Sequence, residues 1–346
     1  MLQAIQHYIG WRNWAVFRYN SVFENFFVLL IIALLQQAFH WNFVLRSLVF
    51  ILFSILATTY GYLINDYSDR ELDRQHGKPN TFEKDSAVKA RMVLLSVLLL
   101  FVVAGIPFWN QPYFLPLIAL WFLITTFYSL PPIRLKERGA LNIVFVTMAQ
   151  RLLPILILFS AFDFWEAKYV LPISLYVLLR GLSSDINHQL EDYKNDVKTG
   201  TRTFVVSMGY QRVKKLFNIN LHLEKIMLAV LLVQFSLDLS FSAIILNGLW
   251  WLTAALYFLA LFWFLLDKRQ WQTNPFDAQS RSLSQFLHHA YPSVGLPLML
   301  NVILSVLYFP FILLLIFQII IRRLYSLEMI GGNFLVRFLI QRFRGE

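Results

Sequence analysis

The sequence predicts an all-α integral membrane protein, and three observations indicate it: composition, the length of the apolar segments and the placement of the charges. The chain of 346 residues is 58% hydrophobic and only 14% charged. A soluble domain carries roughly 25% charged residues. The low charge is therefore typical of a protein whose outer surface faces lipid. The chain has no cysteine, which excludes disulfides and thiol catalysis.

Nine apolar segments approach the length of about 20 residues that a helix needs to cross a bilayer. They cover approximately residues 22–39, 44–65, 92–108, 112–128, 140–161, 168–190, 225–241, 243–266 and 295–321. The last is long and contains Pro310, so we expect a kinked or tilted span there. We expect one domain over 1–346, with a transmembrane core at 22–321 and a basic amphipathic tail at 322–346.

Lysine and arginine gather on one side of this topology, so the net charge of +10 does not indicate nucleic-acid binding. With the N-terminus inside, the inner loops carry Arg12 and Arg18, Arg70 to Arg91, Arg134 to Arg138, Lys194 to Lys225, and Lys268, Arg269 and Arg281. The outer loops hold little more than Arg46 and Lys168. The inner loops are thus predicted to be cytoplasmic, and a bacterial protein would lie in the cytoplasmic membrane.

The C-terminal tail does not fit this pattern. Nine spans place the tail outside, yet residues 322–346 carry five arginines. Either one span is miscounted or the tail departs from the positive-inside rule.

Two groups of aspartates stand at the ends of apolar segments, in a chain with only 20 acidic residues. The first group, Asp66, Asp69 and Asp73, lies within about 60° on a helix of 3.6 residues per turn. The members of the second group are Asp185, Asp192 and Asp196. They lie within about 40° by the same arithmetic. The polar segments that follow, 67–91 and 191–224, are predicted as cytoplasmic loops.

Each group is a stripe of negative charge, and two facing stripes repel unless cations lie between them. Oxygen-only ligands suit hard cations, and Mg²⁺ binds through a few carboxylates together with substrate phosphates. Basic residues follow both stripes, among them Arg74, Lys78, Lys198 and Arg202. Acids for the metal beside cations for the remaining charge are what a diphosphate needs. The sequence therefore predicts a magnesium–diphosphate site.

Two structural explanations stay open beside this one. The stripes could be solvated helix ends, and Asp185 alone could pair with Arg180. Asp185 argues for function, because it lies about two turns before the loop, at membrane depth, where an ionisable side chain is costly.

The motifs resemble those of the UbiA superfamily of intramembrane prenyltransferases. The stretch "NDYSDRELD" matches the Asn-Asp-x-x-Asp-x-x-x-Asp signature of that superfamily. The second stripe, with Gly200 in "DINHQLEDYKNDVKTGTRTF", has the spacings of 4-hydroxybenzoate polyprenyltransferases. The loop "YSLPPIRLKERGALN" is similar to that of chlorophyll synthases. The resemblance covers about residues 44 to 210, and it departs where the usual Arg-Pro after the first motif reads Lys78-Pro79.

The resemblance implies nine transmembrane helices around a central cavity with a cytoplasmic cap, where an isoprenyl diphosphate binds through Mg²⁺. The implied catalytic residues are Asp66, Asp69, Asp192 and Asp196. The implied metal ligands are these four together with Asp73 and Asp185. The resemblance implies substrate binding by Asn65, Tyr128, Ser129, Arg134 and Lys136, and the basic neighbours of the stripes add Arg74, Lys78, Lys198 and Arg202.

The predicted activity is Mg²⁺-dependent transfer of a prenyl group from an isoprenyl diphosphate to a small acceptor in the bilayer, with release of diphosphate. An aromatic acceptor is favoured, although members of the superfamily also prenylate tetrapyrroles and glycerol phosphate ethers, or use phosphoribosyl donors. The alternative is a transporter or channel whose acidic stripes bind cations. It predicts ionisable residues through the membrane, whereas the acids here gather at one face. A CDP-alcohol phosphotransferase is excluded because its Asp-Gly-x-x-Ala-Arg pattern is absent.

Overall fold

The computed structural model describes residues 2–10, 14, 16–17, 19–75, 77–277 and 282–325, and it has no β-strand among them. Its helices are α1 Leu2–Tyr8, α2 Ser21–Glu24, α3 Phe27–Leu35, α4 Trp41–Gln75, α5 Ala87–Gly105, α6 Phe114–Ser129, α7 Leu141–Ala161, α8 Ala167–Thr199, α9 Phe204–Met208, α10 Tyr210–Asp238, α11 Ile244–Leu266, α12 Leu283–Leu307 and α13 Ile312–Ile321. The all-α prediction is confirmed for this part of the chain. The basic tail predicted over 322–346 lies outside the described residues from residue 326 onward.

Six of these helices are long and apolar enough to cross a membrane: α4, α5, α7, α10, α11 and α12. The apolar helices Phe114–Ser129 and Phe309–Ile321 are shorter. The second to eighth segments predicted from hydropathy each coincide with a helix, whereas the first, 22–39, contains α3 and most of α2. These helices support an integral membrane protein, while the number of nine spans, the central cavity and the cytoplasmic cap stay predictions.

The two helices that carry the acidic stripes run well beyond their apolar segments. Helix α4 ends only at Gln75, and α8 ends at Thr199. The prediction of loops from residues 67 and 191 is therefore wrong for the first nine residues of each. In α4 the extension is stabilised by an i,i+3 ion pair of 2.8 Å between Glu71 and Arg74. Both stripes lie on continuous helix, as their spacing requires.

The last apolar segment, 295–321, is two helices rather than one kinked span. Helix α12 ends at Leu307, a tight turn at Phe309–Phe311 contains Pro310, and α13 runs back along α12. Gln318 in α13 accepts a hydrogen bond of 2.5 Å from Asn301 and donates one of 3.2 Å to the carbonyl of Val294. The prediction of a single span here is corrected, because hydropathy detects apolar length but not a reversal of the chain.

The chain divides into two compact units. The first takes Met1–Phe23, Arg46–Glu166 and His188–Val213. The second takes Glu24–Leu45, Ala167–Asn187 and Lys214–Glu346. The single domain predicted over 1–346 stays a prediction.

Aromatic packing forms the core of the first unit. The ring of Phe53 stacks on that of Phe101 with centroids 4.7 Å apart, and Phe108 meets Phe114 at 5.4 Å. Phe50 lies edge-on to Phe108 at 5.7 Å. Such pairs contribute specific geometry beyond the area they bury. They hold α4, α5 and α6 together along the apolar part of α4.

Buried polar contacts hold the second unit together. The guanidinium of Arg180 donates to the carbonyls of Glu24 and His288, at 2.7 and 3.2 Å. It also donates to the side chains of Asn25 and Ser293, at 2.8 and 2.5 Å. Arg180 therefore joins α8 to the end of α2, to Asn25 after it and to α12. These four acceptors account for the buried guanidinium of Arg180, and its pairing with Asp185 stays an untested alternative.

A second buried group surrounds Glu224 of α10. One of its carboxylate oxygens contacts the imidazole of His288, and the other accepts a hydrogen bond of 2.7 Å from Ser183. Asn220 donates to Ser183 at 2.7 Å. Burying an ionised group is costly unless it is paired and hydrogen-bonded. Glu224 meets that condition through partners that are distant in sequence, and sequence patterns alone do not detect it.

Candidate functional site

The polar end of α4 carries the first acidic stripe, within the first unit. The side chain of Asp66 is buried with 1% exposure, whereas those of Asn65, Asp69 and Asp73 are partly exposed. Ser68 donates a hydrogen bond of 2.6 Å to the carbonyl of Ser129, at the end of α6. This contact ties the stripe to the loop after α6.

Residues 78–85, which we call the strap, cross over this end of α4. Thr81 donates to Oδ2 of Asp66 twice, from its hydroxyl at 2.6 Å and from its backbone N–H at 3.2 Å. The side-chain amide of Asn80 donates to the carbonyl of Asp66 and to Oδ2 of Asp73, both at 2.8 Å. Sequence reasoning missed these two residues. The available signal was a pair of hydrogen-bonding side chains directly after Lys78-Pro79.

The loop between α6 and α7 brings two cations to Asp69. The ammonium of Lys136 contacts both carboxylate oxygens, at 2.6 and 2.5 Å, and the guanidinium of Arg134 contacts Oδ1 at 3.0 Å. Arg134 has a φ of +42°, a conformation that costs a non-glycine residue energy and is found at sites where the surroundings enforce it. Arg134 is also paired with Glu137. The side chains of Asp69, Arg134 and Lys136, all predicted site residues, thus meet in one ion-paired group.

Asn65 and Ser129 complete this side of the site. Ser129 is buried and donates a hydrogen bond of 2.7 Å to Oδ1 of Asn65. Lys136 approaches the same oxygen at 3.3 Å. Tyr128, one residue earlier, is half-buried at the end of α6. The structure therefore brings together Asn65, Asp69, Ser129, Arg134 and Lys136 of the predicted residues.

The second stripe lies near the end of α8. Two of its acids, Asp192 and Asp196, belong to the first unit. Helix α8 stops at Gly200, which has a φ of +72°, a conformation that glycine adopts without steric cost. Asp192 is half-exposed and lies 3.7 Å from His188. Burial raises the pKa of Asp196, and the hydrogen bond with Thr203 and the charge of Lys78 only partly offset this effect. Lys78 of the strap is thus within electrostatic range of the second stripe.

A chain of hydrogen bonds connects the cationic loop to α8. Asn142 donates to the carbonyl of Lys136, and Gln189 of α8 donates to Oδ1 of Asn142 at 3.1 Å. Gln189 then accepts a hydrogen bond of 3.0 Å from the backbone of Phe204. These bonds connect the cationic loop to the end of α8 that carries Asp192 and Asp196.

Other predicted site residues stand apart from these contacts. Arg74, Lys78, Lys198 and Arg202 are exposed, and Arg74 pairs with Glu71. Asp185 is buried with 8% exposure in the part of α8 that belongs to the second unit. Exposed side chains on long stems are free to reach a ligand, so their assignment as substrate-binding residues stays a prediction.

The donor set fits Mg²⁺, although no three acidic or histidine side chains of the described residues approach closely enough to hold a metal by themselves. Mg²⁺ keeps several waters and takes one or two carboxylates together with substrate phosphates. Oδ2 of Asp196 is a buried carboxylate oxygen without a hydrogen-bond partner. Asp69 is a carboxylate already matched by two cations. The free oxygen of Asp196 suits a metal ligand, and the cations at Asp69 bring positive charge next to the acids.

Comparison with known proteins gives a matching family and a relative that is similar over part of its length. The UbiA prenyltransferase family matches residues 26–290. Over 98 residues the chain is 34% identical to the lycopene elongase/hydratase of Halobacterium salinarum, which is 27% of this chain and 34% of that protein. The match thus spans about a third of that relative's length.

Solved structures show the same fold at low sequence identity. A UbiA homologue from Archaeoglobus fulgidus bound to DMAPP and Mg²⁺ has a TM-score of 0.54 at 15% identity, over 83% of this chain and 96% of that chain. The same homologue bound to GPP and Mg²⁺ has a TM-score of 0.51 at 15% identity, over 82% of this chain and 99% of that chain. These similarities establish the fold.

Proposed function

Because this chain belongs to the UbiA prenyltransferase family, we propose that it transfers a prenyl group from an isoprenyl diphosphate to a lipophilic acceptor within the membrane. The reaction releases diphosphate and depends on Mg²⁺. The observation that carries the proposal is the contact of Asp69 with Lys136 and Arg134 at the end of the first stripe. Paired acids and cations around one space suit a metal and a diphosphate together. The homologue structures with DMAPP or GPP and Mg²⁺ support the same ligand class.

We assign Asp66 and Asp69 of the first stripe and Asp192 and Asp196 of the second as the residues that would hold the metal. Asp73 and Asp185 are further acids of the same stripes. The chemistry that Mg²⁺ supplies when bound is stabilisation of the negative charge that develops on the leaving diphosphate. A cation transporter, the alternative function, would use the same acids without a diphosphate.

The cations of the α6–α7 loop neutralise the remaining diphosphate charge. Arg134 offers a planar fork of donors and Lys136 a compact point charge, and both suit phosphate oxygens. Asn65 orients the ammonium of Lys136 by accepting a hydrogen bond from it. Ser129 holds Asn65 in place by donating to the same oxygen. These interactions strengthen as the allylic C–O bond breaks, because charge then accumulates on the leaving group. The more exposed Arg74, Lys78, Lys198 and Arg202, with Tyr128, are assigned to the outer part of the same anion site.

The acceptor attacks the allylic carbon with an electron-rich group, which an aromatic ring provides. The match to a protein named lycopene elongase/hydratase supports a second candidate, the electron-rich double bond of an isoprenoid chain.

The proposed activity is tested with purified protein, Mg²⁺, a series of prenyl diphosphates and a panel of acceptors that includes aromatic acids and lycopene. We expect a prenylated, membrane-soluble product that requires Mg²⁺ and disappears with excess chelator. Product formation that persists in excess chelator would contradict the metal assignment. Cation flux in proteoliposomes without any prenyl diphosphate would instead favour a transporter.

Removing the ammonium of Lys136 is expected to weaken diphosphate binding. The change Lys136→Met should reduce the affinity for geranyl diphosphate about 10- to 100-fold, since hydrogen bonds to charged groups contribute about 1.5–3 kcal/mol. Titration calorimetry in detergent measures this affinity. The exposed Lys268 provides the matched control, and equal affinities of Lys136→Met and Lys268→Met would refute the assignment.

The pKa of Lys136 predicts that the affinity for geranyl diphosphate depends on pH. Burial lowers the pKa of Lys136 below the ordinary lysine value of 10.5, and the hydrogen bond with Asp69 only partly offsets it. The ammonium is protonated below this lowered pKa and is lost as the pH rises through it. We therefore expect the affinity for geranyl diphosphate to fall on the alkaline side, beginning below pH 10.5. In Lys136→Arg the fall should move to higher pH, because a guanidinium stays protonated.

We also propose that the site faces the cytoplasm and that the chain after α13 returns to that side. The charge distribution supports this orientation. The reversal of the chain after α12 supports this proposal, because Gln318 of α13 lies beside Asn301 and Val294, which precede Leu307 on α12. On this proposal Arg322 and Arg323, which follow α13, obey the positive-inside rule.

The absence of native cysteine permits a direct test of this topology. Single cysteines at Tyr325 and Lys268 should resist a membrane-impermeant maleimide in intact cells and react after permeabilisation. A cysteine at Ser240, between α10 and α11, should react in intact cells. Labelling of the Tyr325 position in intact cells would overturn the proposed return.

A further inference from the structure

We propose that Asn80 and Thr81 are positioning residues that hold the acids of the first stripe in the orientation in which they bind a divalent cation. This inference rests on the proposed function and concerns side chains outside both acidic motifs. Asn80 and Thr81 are 6% and 2% exposed, so their hydrogen bonds with the stripe are shielded from water. Thr81 and Asp66, which are joined by these hydrogen bonds, lie 15 residues apart in the sequence.

The two donors of Thr81 act on a single oxygen of Asp66. A hydroxyl at 2.6 Å and an N–H at 3.2 Å on the same Oδ2 fix both the rotation of the carboxylate and its distance from the strap. A carboxylate oxygen has two lone pairs and is able to accept more than one donor. Carboxylates that ligate metals are commonly hydrogen-bonded in this way by neighbours that touch no metal.

Asn80 links two acids of the stripe. Its amide group donates to the carbonyl of Asp66 and to Oδ2 of Asp73, both at 2.8 Å. Its own carbonyl oxygen accepts a hydrogen bond of 2.9 Å from the backbone of Phe82, which fixes the amide in one orientation. One side chain therefore sets the position of Asp73 relative to the backbone at Asp66.

The strap is itself held rigidly enough to transmit this constraint. Phe82 is fully buried, and its ring lies 6.3 Å from that of Tyr67 in α4. Tyr8 of α1 donates to Asp85 at 2.7 Å, and His7 contacts the carbonyl of Thr81 at 3.0 Å. Although burial alone would raise it, the pKa of Asp85 lies below its usual value because Lys89 and Tyr8 hydrogen-bond to it. A carboxylate held in place before binding loses less conformational entropy when it meets a cation.

The test measures metal binding directly, with Mn²⁺ as a paramagnetic probe. Free Mn²⁺ is followed by electron paramagnetic resonance in detergent-solubilised full-length protein saturated with geranyl thiolodiphosphate, an analogue that does not release its prenyl group. Thr81→Val removes the hydroxyl and preserves the shape of the side chain. Loss of such a partner typically lowers metal affinity about 10- to 100-fold, and we expect a loss in this range. Thr81→Ser, which keeps the hydroxyl, should restore most of the affinity.

Thr253→Val is the matched control. Thr253 is also buried, and its hydroxyl donates to the carbonyl of Leu249 in its own helix, at 2.7 Å. We expect its Mn²⁺ affinity to equal that of the wild type. Should Thr81→Val fail to fold, Asn80→Ser, which removes the donor to Asp73, is expected to show the same loss.

The outcomes separate this inference from the function it rests on. If Asp66→Asn loses Mn²⁺ binding while Thr81→Val binds within twofold of Thr253→Val, the positioning role is refuted and the metal site stands. If Asp66→Asn binds Mn²⁺ as the wild type does, the metal assignment in the proposed function fails. An equal loss in Thr81→Val and Thr81→Ser would also overturn the role of the hydroxyl.

Discussion

Asp66→Ala and Asp192→Ala should each abolish prenyl transfer while the protein still accumulates in the membrane. Each change removes a carboxylate assigned to the metal that stabilises the leaving diphosphate. Losing one group that stabilises developing charge costs about 10²–10³-fold in rate, and losing a metal ligand should cost at least as much. The measurement is product formation from a prenyl diphosphate at saturating Mg²⁺.

The two substitutions differ in how strongly they are expected to affect stability. Asp66 is buried beneath the strap, so its loss also affects packing, whereas the side chain of Asp192 is 49% exposed. Surface substitutions away from special features change stability by only about 0.5 kcal/mol. An inactive Asp192→Ala is therefore not explained by unfolding. The control is Glu191→Ala, an exposed acid one residue earlier on α8, which should retain activity.

Full activity in either aspartate variant would refute the metal–diphosphate assignment for that stripe. Loss of activity in Glu191→Ala as well would indicate a disrupted fold at this end of α8. The two explanations for an inactive variant are then a lost metal ligand and a disrupted fold. The thermal midpoint of each variant in detergent decides between these two explanations.

Arg180→Leu is expected to cause the largest loss of stability in the second unit. Arg180 donates to four acceptors, on two carbonyls and two side chains. Each buried polar group left without its partner costs about 1–3 kcal/mol. We therefore expect the free energy of unfolding to fall by several kcal/mol, measured as a lower thermal midpoint in detergent. Arg180 makes none of these contacts with the acidic stripes, so the folded fraction should still bind geranyl diphosphate.

The exposed Arg212 of α10 is the matched control for Arg180. Arg212→Leu removes the same charge and the same number of donors from a position in contact with solvent. Its thermal midpoint should stay close to that of the wild type. Equal midpoints for the two variants would show that the buried contacts of Arg180 do not stabilise this unit.

The fold class and the acidic stripes could be predicted because both depend on features that are local in sequence. Composition indicates the lipid environment, and the i, i+3 and i+7 spacing places Asp66, Asp69 and Asp73 on one helix face. The family resemblance added the cationic loop. The structure then selected among its candidates, with Lys136 and Arg134 at Asp69 and the four other basic residues exposed.

Helix ends and chain reversals were less predictable. Polar residues after Asp66 have the composition of a loop, yet they continue α4 because good helix formers and an ion pair stabilise the extra turns. An apolar segment long enough for a tilted span folds instead as α12 and α13. Asn301 and Gln318 pair across that hairpin, and their sequence positions do not show it.

The sequence by itself determined that this protein is helical, that it lies in a membrane, and that two acidic stripes occupy helix ends. These properties follow from composition and from spacing along single helices. Only the tertiary structure decided which cations meet Asp69, and that Thr81 holds Asp66. The physical reason is distance along the chain: Lys136 and Arg134 lie 67 and 65 residues from Asp69. Contacts of this range are set by how helices pack, and no local pattern encodes them.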